Sequence, residues 1–224
     1  MFAFRTASTA SERMNDVEKF VEWWYGPRKP TYGIHDSVLY GVPYPLKRFY
    51  SFAGRWPSPH PRAKDDFFFT GSNGHHLHPF ESVTGLPNDR VNFFMEYQGD
   101  WDGLTMSDGD DPPVWIAVGT RRPKKVCDSL SAFLVTHTLM TTLYEMRNSG
   151  WRGTRVDEQI GRWCVQPGRH RVPIWDCSRC RCPNYDQGQF DVVDERLLIH
   201  ATGDQLLHAA VHPAHRKWSE REFK

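Results

Sequence analysis

Three groups of side chains in this chain of 224 residues have types and spacing suited to chemistry. Residues 74–81 read Gly-His-His-Leu-His-Pro-Phe-Glu, so His76 and His78 alternate as strand neighbours do and Glu81 follows. Imidazoles with a carboxylate suit a divalent metal. No second His-bearing motif follows, however, and three His in a Gly/Asn turn are more often solvated loop residues. Cys177-x-x-Cys180-x-Cys182, with Cys164 upstream, offers thiolates, the preferred ligands of zinc. The alternative is a set of buried, inert thiols, because Cys164 stands alone and the third Cys crowds the pair. Arg152, Arg155, Arg162, Arg169 and Arg171 interleave with Trp151, Trp163 and Trp175. Guanidinium groups beside stacking rings are what single-stranded nucleic acid uses. Trp at that spacing also builds core, with Arg stems covering its edge. The sequence has no G-x-S-x-G, phosphate loop, dinucleotide G-x-G-x-x-G or H-E-x-x-H. This reading assigns no catalytic residue, no cofactor and no metal.

Charge supplies a fourth feature. The formal net charge is +1, from 28 Lys+Arg against 27 Asp+Glu, which argues against a surface that coats nucleic acid or anionic membrane as a whole. The distribution is uneven. Residues 91–120 contain no Lys or Arg yet carry Glu96, Asp100, Asp102, Asp108, Asp110 and Asp111. Residues 151–182 reverse the balance, with seven Arg against Asp157, Glu158 and Asp176. Carboxylates held on one connection repel each other. They are tolerated as a solvated loop, as a Ca²⁺ site or as a face awaiting a basic partner. The spacing does not fit a Ca²⁺ loop closed by a bidentate Glu.

The elements that must position these groups follow from patterning. Residues 1–14 lack periodicity and read as a frayed tail, with Met14 a candidate translation start. Asn15 as N-cap with Glu18 three residues on opens a helix whose apolar face is Val17, Phe20, Val21 and Trp24. Gly26-Pro27 ends it. Leu46, Phe49, Tyr50 and Ala53 make a second helical stripe after Pro45. Residues 66–70, 91–97 and 114–118 read as strands, and so do 172–175, 190–193, 197–200 and 206–210. A helix from Asp128 or Ser129 to about Met146 is apolar over more than half its circumference, so it is expected to be central. Residues 212–224 fit a closing polar helix. Without βαβ alternation, the order predicts an α+β fold, an antiparallel twisted sheet packed against helices. Residues 15–224 then form a single domain with an Arg/Cys-rich insert at about 149–188. Mean hydropathy is −0.63 and no apolar run approaches the ~18 residues of a membrane span. The five Cys, with no export signal preceding them, favour reduced thiols over a disulfide scaffold and a cytoplasmic location.

Four short motifs resemble the SUKH superfamily, whose members include bacterial immunity proteins and a yeast cell-wall regulator. They are Leu46-Lys47-Arg48-Phe49-Tyr50, Glu96-Tyr97-Gln98-Gly99-Asp100-Trp101, Asp111-Pro112-Pro113-Val114-Trp115 and Ser129-Leu130-Ser131-Ala132-Phe133-Leu134. Their order and spacing match over roughly residues 40–146. The 149–188 insert, and Tyr97 where the family usually shows Asn, depart from the pattern. The resemblance implies an α+β domain that catalyses nothing and neutralises a cognate protein toxin, often a nuclease, by stoichiometric binding. On that reading Asp100, Trp101, Asp102, Asp108, Asp110 and Asp111 form the partner-binding face, with Trp101 as its anchor. The competing expectation is a nucleic-acid-binding or regulatory module built on the Arg/Trp insert.

Overall fold

A computed structural model describes residues 4, 6–58, 67–70, 76–96, 99–148, 159–160, 162–164, 166–180, 188–202, 205–217 and 219. The fold is α+β. Two antiparallel sheets lie against three helices: α1 (Ala10–Tyr25), α2 (Tyr44–Ala53) and α3 (Leu130–Asn148). The first sheet runs β1 (His76–Leu77), β3 (Arg90–Met95), β4 (Asp102–Met106), β5 (Val114–Ala117) and β6 (Lys124–Cys127), with β2 (Thr84–Leu86) also paired to β3. The second runs β10 (Gln205–Val211), β9 (Leu197–Thr202), β8 (Gln189–Val193) and β7 (Arg171–Asp176).

α3 is the centre, as its composition predicts. Leu130, Phe133, Leu134, Leu139, Met140 and Leu143 are buried, and so are Thr136, Thr138 and Thr142. The three Thr hydroxyls donate back to the carbonyls of Ala132, Leu134 and Thr138 at 2.8–3.1 Å, so their burial leaves no orphaned donor. Phe133 meets Phe93 and Phe94 of the first sheet edge-to-face at 5.5 and 5.2 Å. On another side Trp175 Nε1 of β7 donates to Thr136 Oγ1 at 2.8 Å, and Tyr25 Oη of α1 donates to Thr142 Oγ1 at 2.9 Å.

α1 begins earlier than Asn15. Thr9 accepts from the Glu12 amide while the Glu12 carboxylate accepts from the Thr9 amide, a complete capping box. Residues 10–14 are therefore helix rather than tail, with Arg13 and Met14 buried. Phe4 is buried too, edge-on to Phe20 at 6.2 Å and to Trp175 at 6.5 Å. The stripe of α2 buries Leu46, Phe49, Tyr50 and Ala53 as expected.

The last strands do not extend the first sheet; they build their own. Part of the 149–188 insert belongs to it, since β7 forms its edge. Its two faces enter different cores. Trp175, Phe190, Val192, Leu198 and Ala210 join the main core, whereas Val193, Leu197, Ile199, Ala209 and Val211 pack with Ile160, Trp163 and Cys164. Strand alternation sends successive residues to opposite faces, and here both faces are covered.

The expected reduced state of the thiols is overturned by a disulfide between Cys127 and Cys180, 53 residues apart, which ties the end of β6 to the turn after β7. Spacing alone hid it, because Cys127 lies outside the Cys-rich stretch. The four-thiolate zinc arrangement is not assembled either. Cys180 is bonded to Cys127, Cys164 and Cys177 lie in the two different cores, and Cys182 is outside the described residues. Closing a loop of this length restricts the unfolded chain by about 4 kcal/mol in the chain-entropy treatment. Cys180→Ser is expected to lower unfolding stability by about 2–4 kcal/mol in urea titration. Adding a reductant should bring the native protein down to the same value.

Candidate functional site

The six residues expected to share one face are divided by β4. That strand pairs with β3 and β5, and its five residues span roughly 13 Å at ~3.3 Å each. Asp100, Trp101 and Asp102 sit where β4 begins. Asp108, Asp110 and Asp111 sit beyond its other end.

At the first end, Trp101 is not an exposed anchor. It is 5% exposed and stacks on Phe94 with ring centres 5.2 Å apart. Gly103 makes this packing possible, since a Cβ there would lie 2.7 Å from that of Phe94. The turn is built around buried Glu96, whose amide donates to the Trp101 carbonyl and whose carboxylate accepts from the Asp100 amide. Asp100 is exposed and Asp102 half-buried; Tyr97 and Gln98 lie outside the described residues. Register also brings the β5–β6 connection to this end, because Ile116 faces Lys124. That connection carries exposed Arg121 and Arg122.

The opposite end is acidic and firmly founded. Asp111 accepts from Arg13 Nη2 at 2.8 Å, from the Ser131 amide at 2.8 Å and from the Ser131 hydroxyl at 2.6 Å. Arg13 also donates to Ser131 Oγ and to the Ala7 carbonyl. A carboxylate from a distant loop thus caps α3, where the helix dipole favours negative charge, and fastens α1 to it. Pro112 accepts from the Leu130 amide at 2.8 Å. Asp111 is therefore a structural clamp. Beside it, Asp108 and Asp110 flank Gly109, whose φ of +100° suits a residue without Cβ, and both carboxylates are exposed.

Strand pairing adds two acids that the linear reading missed. The Asp89 carbonyl accepts from the Ser107 amide at 2.7 Å, placing the exposed Asp89 beside the β4–β5 loop. Val114 pairs with Cys127, so Asp128 follows β6 at this same end, with its side chain 88% exposed and Lys125 Nζ at 2.7 Å. Asp89, Asp108, Asp110 and Asp128 thus share one rim. Arg90 reaches this region with its guanidinium 5.1 Å from the centre of the Trp115 ring.

The other constellations disperse. His76 is buried and its ring lies 6.4 Å from that of His78, while exposed Glu81 turns to Arg55 Nη2 at 3.3 Å. Among the described residues, no three His, Cys, Asp or Glu side chains are grouped to hold a metal. Burial and the neighbouring His76 hold the His78 imidazole below its ordinary pKa, opposed by Asp102 and a hydrogen bond with Asn92. In the insert, Trp163 is buried under the Arg169 guanidinium at 3.7 Å, and Trp175 is buried against α3, so neither offers a ring to a base. Arg169 and Arg171 pair with Asp194 and Asp191, and Arg162 is exposed. Trp151, Arg152 and Arg155 lie outside the described residues.

Asp111→Ala leaves Arg13 buried beside a missing partner and is expected to cost about 3 kcal/mol in urea unfolding. Asp108→Ala, on the exposed part of the same loop, should stay within about 0.5 kcal/mol. Asp102→Asn is expected to move the His78 titration, followed by NMR, further down. A histidine held below its unfolded pKa contributes stability that is fully present above the unfolded value. That contribution is lost as pH falls through the folded value. No protein-family model, curated protein or solved structure matches the chain.

Proposed function

We propose that this chain is a non-catalytic protein-binding domain that neutralises a protein toxin by docking its acidic rim onto a basic, phosphate-binding surface of that toxin. The observation that carries the reading is the convergence of Asp89, Asp108, Asp110 and Asp128 at one end of the first sheet, around a β4–β5 loop fixed by the Asp111 clamp. Lys125 already pairs with Asp128, while Asp89, Asp108 and Asp110 are exposed and leave like charge gathered at one end. A cationic partner neutralises that charge, and the field of the rim speeds its approach. Because the loop is already ordered, little conformational freedom remains to be lost on binding. The likeness of the four motifs to SUKH immunity proteins points to the same kind of partner. A cytoplasmic site of action belongs to the proposal. What bears on membranes is limited to one fact: no helix among the described residues is long and apolar enough to cross one.

Co-expression with a toxin domain encoded beside the gene tests the reading. Wild-type chain should restore growth and bind the purified domain with a rate that falls steeply as salt rises. Asp108→Lys/Asp110→Lys should slow association by about tenfold at low salt and flatten the salt dependence. Asp100→Lys, at the other end of β4, should leave both unchanged. Equal rates for the double variant and wild type would move the docking surface off this rim.

A further inference from the structure

The disulfide has a third cysteine next to it in sequence and in the fold. Cys177 and Cys180 bracket a single 3-10 turn in which the Cys180 amide donates to the Cys177 carbonyl at 2.9 Å. Such a turn keeps the first and fourth Cα within about 7 Å, overlapping the ~4.4–6.8 Å range that a disulfide spans. Cys177 Sγ lies 3.7 Å from His200 Nε2 of β9, and both residues are buried. The imidazole is held flat against Phe190, its partner across β8 and β9, with ring centres 4.6 Å apart. On the other side of the bond, Cys127 Sγ is 3.1 Å from the Ser129 carbonyl at the start of α3.

We propose that Cys177, Cys180, Cys127 and His200 form an internal thiol–disulfide exchange site, in which Cys177 takes Cys180 from Cys127. The Cys177 thiol gives its proton to His200 Nε2, and the resulting thiolate attacks Cys180 Sγ. A Cys177–Cys180 bond forms as the Cys127–Cys180 bond breaks, with its electron pair remaining on Cys127 Sγ. The released thiolate recovers the proton from His200, directly or through solvent, and the new thiol donates to the Ser129 carbonyl. One disulfide and one thiol stand on each side, so neither oxidant nor reductant is consumed. Exchange of this kind requires a thiolate and access to the attacked sulfur, and an intramolecular approach supplies high effective concentration. The step converts a long-range tie between the two sheets into a short staple within one turn. Cys164 takes no part. It faces the other core, and burial pushes its thiol up to about 11.

Disulfide mapping on the full chain tests this. Oxidised protein is jumped from pH 5 to pH 8, quenched in acid at intervals, unfolded in guanidinium with a maleimide at low pH, and digested for mass spectrometry. The expected result is that Cys180 stays oxidised while the maleimide label divides between Cys127 and Cys177. In Cys177→Ser, label on Cys127 should vanish. His200→Gln should slow the approach to that division by about 10²-fold, the scale of a lost general base, and His208→Gln should not. Cys127 free of label at every time, label on Cys180, or Cys127 label that persists in Cys177→Ser would each overturn the proposal.

Discussion

A helix buried over most of its length has to be enclosed on several sides, and α3 is such a helix from Leu130 to Leu143. From Leu130 to Leu143 every residue but Thr141 is buried, and Thr136, Thr138 and Thr142 turn their hydroxyls back onto the helix's own backbone. One sheet is not enough to enclose it. The first sheet covers the side of Phe133, the second reaches it through Trp175, and α1 and α2 close the remainder. The N-terminus of so buried a helix would present backbone amides to an apolar surround. Asp111 meets that need from a loop, with Arg13 balancing the charge that this brings inside.

The acidic rim is a by-product of the same arrangement. A loop anchored by Asp111 at its base must leave its neighbours outside, and Asp108 and Asp110 are those neighbours. Strand order then brings Asp89 and Asp128 alongside. The sheet ends up electrically uneven, with Arg121 and Arg122 at the other end of its strands. A molecule of net charge near zero thus carries exposed aspartates and exposed arginines at different ends of one sheet.

The parts of this that sequence could reveal are those written in local periodicity. The stripe of α2, the central role of α3 and the strands expected at 91–97, 114–118 and 172–175, found as Arg90–Met95, Val114–Ala117 and Arg171–Asp176, follow from spacing of apolar residues and from turn signals. The start of α1 is hidden from the linear pattern because Asn15 and Glu18 imitate a capping pair that Thr9 and Glu12 complete. β4 has no local signal because Asp-Gly-Leu-Thr-Met reads as turn, and only the close approach of Phe94 to Gly103 marks it as strand. Without β4 and β6 in the pattern, six carboxylates close in sequence look like one surface. Pairing between strands is a long-range property, and neither the division of those carboxylates nor the Cys127–Cys180 bond has a local signal.

The second sheet carries apolar side chains on both faces, which has a consequence for how its strands find one another. In a half-exposed sheet a slip of one residue turns greasy side chains to water and is penalised at once. Here Val192 and Val193, or Leu198 and Ile199, would each still land in an apolar layer after such a slip. Correct alignment must therefore be policed by the few polar members: buried Asp191 with Arg171 and Gln189, and His200 with Cys177. These residues act as proofreaders of strand alignment, and exchanging them for oily isosteres would trade a unique pairing for several of similar energy.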